Sequence, residues 1–239
     1  MFVDEGKYMI LKEFEELGVG AIYTHMGLGN VQDLETRETL LKEIKCCNKK
    51  LVYGKQTHSE NVVKVEDSSS FFYEDCDGFV TNSKNIVIFT QYADCLPIYF
   101  YDKINKAIGI CHSGWKGSFK KIALNLINLM KKEYGTDVEN LLIGLGIGIS
   151  RERYEVSNEF YREFESEFSE TILNNCFKFS DNKIYFDNQE FNYHLLLENG
   201  ASKDNIIRNN LCTYEDKKFH SHRRDGSGAG RNGGYIYFK

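Results

Sequence analysis

Two histidines and a cysteine stand where apolar runs of this chain end, and they are its residues best suited to chemistry. Cys95 closes a strand-like run that leads through Ala93-Asp94, His112 closes the run Ala107 to His112, and His58 sits in the polar corner Gln56-Thr57-His58-Ser59-Glu60-Asn61. A thiol and an imidazole among apolar neighbours cost free energy unless each has a partner. One partner is a metal ion: two imidazoles and a thiolate with an open fourth position form the ligand set of a catalytic zinc. Another is each other, with Cys95 as nucleophile, His112 as its base and His58 or a nearby polar residue orienting them, as in metal-free cysteine hydrolases or amidases. A third reading is two loop histidines and a core cysteine. No HExxH or CxxC fixes the geometry, so spacing alone leaves the three open.

A second group lies in the tail: Lys217, Lys218, His220, His222, Arg223, Arg224 and, beyond the flexible Gly-Ser-Gly-Ala-Gly, Arg231. Guanidinium forks beside exposed backbone N–H groups hold oxyanions such as phosphate, while a plain solvated basic loop has the same composition. His220-x-His222 as a metal pair is the weaker reading. The run LLIGLGIGI, residues 141–149, invites comparison with dinucleotide-binding loops. Its third glycine falls too early for GxGxxG and no acidic partner follows, so that class is excluded.

These residues must be positioned by a chain of 239 residues, long enough for a sizeable core. A net charge of −5 gives no electrostatic case for nucleic acid or an anionic membrane as a partner. No basic-then-apolar leader and no bilayer-length apolar run is present, so a cytoplasmic protein is expected. Seven cysteines without a CxxC pair read as free thiols, with Cys46, Cys47, Cys111, Cys176 and Cys212 packed as small hydrophobes and Cys76 near polar residues.

Strands are expected over 51–56, 62–66, 78–82 and 86–93, then a hairpin turning at Asp102 to Asn105 into Ala107 to His112. A helix is expected over 35–47 and another after Gly117, apolar at Phe119, Ile122, Ala123, Leu126, Leu129 and Met130 and closed by Gly135. A buried strand over 141–149, a helix capped by Ser150 or Ser157, a helix from Gln189 to Asn199 and a last strand from Tyr235 to Phe238 complete the outline. No linker or repeat divides it, so one domain over 1–239 is expected.

At this point the motifs resemble a known family. Gln56-Thr57-His58, Ala93-Asp94-Cys95-Leu96-Pro97, His112-Ser113-Gly114-Trp115-Lys116-Gly117, Cys212-Thr213 and Ser221-His222-Arg223-Arg224 through Gly230-Arg231 are similar, in that order, to those of the laccase-domain family. Its bacterial members are called polyphenol oxidase or purine nucleoside phosphorylase. The resemblance implies a single α+β domain of mixed β-sheets flanked by helices, similar to the cysteine-hydrolase-like fold. It implies a catalytic zinc site at His58, Cys95 and His112, and substrate contacts from Ser113, Trp115, Arg223, Arg224 and Arg231. The implied reaction is phosphorolysis of purine nucleosides (adenosine, inosine, guanosine, methylthioadenosine) with adenosine deamination in addition; Asp94 and Asp77 are candidate proton shuttles.

The older label implies a copper-dependent phenol oxidase. A blue-copper centre plus a trinuclear cluster consumes more imidazoles than the six histidines here, although one copper ion in place of zinc is compatible with the donors. This chain departs from the family at Thr24-His25, where Thr-Arg is usual, and at His222, where tyrosine is usual. The sequence leaves the preferred nucleoside and the oligomeric state, a monomer included, open.

Overall fold

The computed structural model describes residues 1–239 as a mixed α+β fold. Two large sheets face each other. The first runs, edge to edge, Phe2–Asp4, Tyr8–Leu11, Val19–Thr24, Asn232–Phe238, Ile86–Tyr92, Lys50–Gly54 and Phe72–Tyr73. The second runs Ile206–Ile207, Leu141–Leu145, Leu96–Asp102, Ala107–Ser113, Gly78–Thr81 and Val62–Lys64. Both contain parallel and antiparallel pairs.

Period-two side-chain alternation explains why these strands stack in layers. Along Leu96–Asp102, Tyr99 and Tyr101 enter the core between the sheets, while Ile98 and Phe100 enter the core on the other face. Ile236 and Phe238 of the last strand enter the central core, and Tyr235 and Tyr237 the opposite one. The helix Leu34–Glu43 covers the outer face of the first sheet through Leu40, and Ile122–Tyr134 covers that of the second through Ile122, Ala123, Leu126, Ile127 and Met130. A small third sheet, Glu155–Val156, Lys183–Phe186 and Phe177–Ser180, packs a phenylalanine-rich core with the helices Asn158–Glu167, Glu170–Cys176 and Asn188–Glu198. No helix is long and apolar enough to cross a membrane.

Several boundaries differ from the sequence reading. The helix after Gly117 is two helices, Trp115–Phe119 and Ile122–Tyr134, because Lys121 takes the left-handed conformation (φ 60°) between them. Gly135 closes the second at φ 72°, as expected. The strand over 141–149 stops at Leu145, where it meets Pro97, which has no N–H to return a ladder bond; Gly146 N–H to Pro97 and Ile149 N–H to Asp94 continue the register only in part. Ser157, not Ser150, caps Asn158–Glu167, its hydroxyl accepting from Phe160 N–H. All seven cysteines are free; Cys47 is exposed rather than packed, and Cys76 is buried with its thiol pushed up to about 12 by that burial.

Candidate metal and catalytic site

Strand register brings the three donors together. Ser113 pairs with Leu96 across the central hairpin, which sets Gly114 beside Cys95. Cys111 pairs with Gly78 on the other side, which sets His112 beside Asp77. Val62 pairs with Gly78 in parallel, so the corner carrying His58 arrives at the same end of the sheet. The ligand atoms of His58, Cys95 and His112 lie within 4.8 Å of one another, His58 exposed, Cys95 half-buried and His112 buried. Cys95 Sγ is 3.7 Å from His58 Nε2, and the two imidazole rings meet edge to face at 4.8 Å.

One carboxylate holds this corner, and the sequence had offered it only as a proton shuttle. Asp77 is fully buried. It accepts the backbone N–H groups of Thr57 (3.0 Å), His58 (3.1 Å) and Ser59 (2.9 Å), the Ser59 hydroxyl (2.8 Å) and His112 Nδ1 (2.8 Å). An ionised carboxylate only accepts, so a proton stays on His112 Nδ1 and Nε2 is the ring nitrogen turned to the cluster. Burial raises the Asp77 pKa, but the His112 hydrogen bond and charge outweigh it and hold the carboxyl at about 2.

The neighbours tune the thiol as well. Burial pushes Cys95 up, and the adjacent His112 and His58 overcome it, so that in the metal-free protein the thiol sits at about 6. His112 moves the other way: burial lowers it, the Cys95 and Asp77 negative charges raise it more, and it reaches about 9. His58 and Asp94, which flank the metal corner, are both left-handed non-glycines (φ 62° and 85°), a conformation kept where surrounding contacts over-determine it. Gly114 is required for another reason. A Cβ there would lie 2.6 Å from His58 Cδ2 and 2.9 Å from Cys95 Sγ.

The donors fit a metal ion. A thiol with depressed pKa and an imidazole with its outer nitrogen held by a carboxylate are what a cation needs, and the fourth side faces a cleft. They do not fit several coppers. His25 is tied to Gly27 and Asp4, His194 to Glu190, and His220 packs against Gly230; the cluster of His58, Cys95 and His112 is the one group of three or more metal-binding side chains. His222 lines the cleft while His220 does not, so the two form no metal pair.

That cleft, of about 140 Å³, is bordered by Cys95, Trp115, Tyr154, Asn188, His222 and Arg223. A larger one, of about 870 Å³, shares Asp94, Ile149 and Asn188 with it and is lined further by Arg151, Gln189 and Arg208. Of the five expected substrate contacts, Trp115 and Arg223 reach the small cleft and three do not. The Ser113 hydroxyl is buried in a network with Ser118 and Asn192. Arg224 spends its guanidinium on the carbonyls of Thr213, Tyr214 and Phe219 and on Asp225. Arg231 donates to the carbonyls of Ala229 and Gly230. Backbone carbonyls in a tight loop without helix or strand need donors, and these two arginines supply them. Asp94 is occupied too, accepting from the Thr213 hydroxyl and the Arg223 N–H, both at 2.6 Å. Tyr154, Asn188 and Asp77's role as an anchor escaped the sequence reading, because only tertiary register brings them here.

A mixed α+β fold with a two-histidine, one-cysteine corner at one sheet end is the class that fold and site define. Residues 24–239 match the family described as multi-copper polyphenol oxidoreductase laccase, and the chain belongs to that family. A purine nucleoside phosphorylase of Borreliella burgdorferi is 42% identical over 177 residues, covering 74% of this chain and 75% of that one. An adenosine deaminase, RL5, from an unknown prokaryotic organism is 27% identical over 227 residues, covering 90% and 85%. The crystal structure of the hypothetical protein YfiH of Bacillus licheniformis superposes with a TM-score of 0.91 at 25% identity, covering 100% of this chain and 99% of that one.

Proposed function

We propose that this chain, as one domain over residues 1–239 acting in the cytoplasm, is a purine nucleoside phosphorylase that also deaminates adenosine, with zinc held by His58, Cys95 and His112. The observation that carries the proposal is the convergence of these three donors beside a cleft walled by Trp115 and Tyr154, in a chain whose relatives bear those two names. A zinc held by His58, Cys95 and His112 would supply Lewis acidity for hydrolysis at the purine C6 position. Asp77 fixes the His112 ring through its Nδ1–H and the His58 backbone through its N–H, which holds two of the three donors in place. Trp115 gives the base an aromatic face. His222, exposed in the cleft, is placed to move the proton as ammonia leaves.

In phosphorolysis a phosphate oxygen attacks the sugar C1′ as the C1′–N9 bond breaks, and that electron pair leaves with the base, which takes a proton. Since Arg224 and Arg231 spend their guanidinium groups on several carbonyls, we assign phosphate to Arg151 in the larger cleft, whose Nη1 donates to the Asn175 carbonyl alone and whose buried Nε has no hydrogen bond, with Glu152 at 3.7 Å as the carboxylate that phosphate would displace. Adenosine, inosine, guanosine and methylthioadenosine are the substrates to assay.

A second reading rests on its own observation. Cys95 beside His112, whose Nδ1 is held by Asp77, with the thiol at about 6, would also serve as nucleophile, base and orienter for a metal-free hydrolase or amidase. The discriminating assay incubates the protein with adenosine with and without phosphate and separates the products. Phosphate-dependent adenine and ribose-1-phosphate, and inosine without phosphate, both lost in Cys95→Ala, are expected. Intact adenosine under both conditions in the metal-loaded protein would put the hydrolase first.

A further inference from the structure

Arg223 stands at the cleft, yet its guanidinium is engaged with a tyrosine. Its Nη1 donates to the carbonyls of Arg153 and Glu155, both at 3.3 Å, the residues on either side of Tyr154. Its guanidinium carbon lies 5.2 Å from the centre of the Tyr154 ring, within cation–π range. The Arg223 backbone N–H donates to Asp94, the residue before the ligand Cys95. A continuous chain of contacts therefore runs from the metal corner through Asp94 and Arg223 to Tyr154.

Tyr154 is built to be held still. Its ring meets Phe186 at 5.7 Å and Phe160 at 6.5 Å, and Phe160 also backs Trp115 at 5.1 Å. Its hydroxyl makes no hydrogen bond within the protein, and Tyr154 lines the cleft that Cys95 and Trp115 border. A rigid ring with an unspent O–H is an economical contact for a flat, polar-edged ligand.

We propose that Tyr154 contacts the purine, its ring bounding the base and its hydroxyl hydrogen-bonding the base edge, and that Arg223 is a positioning residue for Tyr154 rather than a phosphate ligand. This rests on the purine nucleoside reading above, and it assigns Arg223 a role that neither its charge nor its neighbours in sequence suggest.

The chain's single tryptophan is Trp115, so its fluorescence reports cleft occupancy without turnover. Titrating the zinc-loaded protein with inosine, Tyr154→Phe and Arg223→Gln are each expected to weaken binding about tenfold, the loss of one hydrogen bond. The double variant should also lose about tenfold rather than a hundredfold, because the two residues act as a unit. Phosphate KM and zinc content should stay at wild-type values, and Arg223→Lys should recover only part of the loss. A hundredfold loss in the double variant, an Arg223 effect confined to phosphate KM, or a wild-type fluorescence blind to inosine would each overturn the proposal. Inosine binding that follows this pattern in a protein with neither phosphorolysis nor deamination would uphold the purine contact and remove the catalytic reading instead.

Discussion

At the end of the second sheet, three donors from distant parts of the chain are gathered by strand register and one buried carboxylate. In the tail, cationic side chains a few residues apart are sent to separate tasks: Arg223 to Tyr154, Arg224 to three loop carbonyls, Arg231 to its own turn, Lys218 to Asp4. Proximity in sequence concentrated charge in the tail without gathering it on one anion, while the donors far apart in sequence were brought together. The cause is backbone accounting. A strand end pairs its own backbone in the sheet and leaves the side chain free, whereas an irregular loop consumes nearby donors to satisfy its carbonyls.

The contrast breaks most readily at Cys95. Cys95→Ala is expected to take bound zinc from about one equivalent per chain to none, read by elemental analysis. Retention of the metal would mean that the gathered donors are not a ligand set.

Asp77→Asn comes next. It should cost about 10–100-fold in zinc affinity through the His112 tautomer and roughly 2–4 kcal/mol in urea-unfolding stability through the orphaned N–H groups of the corner. Its pH signature sharpens the test. The folded carboxyl sits at about 2 against 3.8 ordinarily, so its contribution is complete above the unfolded value and is lost as pH falls from there through 2. Wild-type stability should decline across that window more steeply than that of Asp77→Asn, and parallel curves would remove the anchor role.

Metal removal probes the same corner. In the metal-free protein, iodoacetamide alkylation of Cys95 should rise through about pH 6, where its thiolate forms, with zinc protecting it. A midpoint near 9, the ordinary thiol value, would mean the imidazoles do not face it. Gly114→Ala, which drives a methyl toward both His58 and Cys95, should weaken zinc about tenfold with the fold intact.

The smallest effect lies in the tail. Arg224→Gln should cost about 2 kcal/mol of stability by leaving loop carbonyls unpaired, with phosphate KM unchanged. A raised phosphate KM at full stability would restore the tail as an anion site.

Much of this was legible in the sequence, for identifiable reasons. The strands on either side of Cys95 and the one that carries His112 announce themselves by apolar runs, and the polar breaks in those runs mark the candidate donors. The family motifs added His58, which its own corner would not have singled out. The break at Lys121 was hidden because the apolar spacing carries on across it. Asp77 looked like one more acid in a polar loop, since its value comes from five donors that meet only after the parallel strand Val62–Lys64 is laid beside Gly78–Thr81. Tyr154 was hidden for the opposite reason: it sits in the third sheet's neighbourhood, which no short motif marks, and Arg223 ties it to the cleft through space alone. His25, the departure from the usual arginine, proves to be buried, bridging Gly27 and Asp4 and edge-on to Phe219, away from the metal corner.

The strand Asn232–Phe238 lies inside the first sheet, between Val19–Thr24 and Ile86–Tyr92. On the ribosome it is made after both neighbours, so they cannot join until it arrives. The second sheet's hairpin of Leu96–Asp102 and Ala107–Ser113 pairs with Gly78–Thr81 without that strand, but the turn before Cys95 is held through Asp94 by Thr213 and Arg223, which are also made late. Synthesis therefore leaves both the larger sheet and the corner that carries Cys95 unfinished until the tail emerges, so neither closes on a chain that stops short of it.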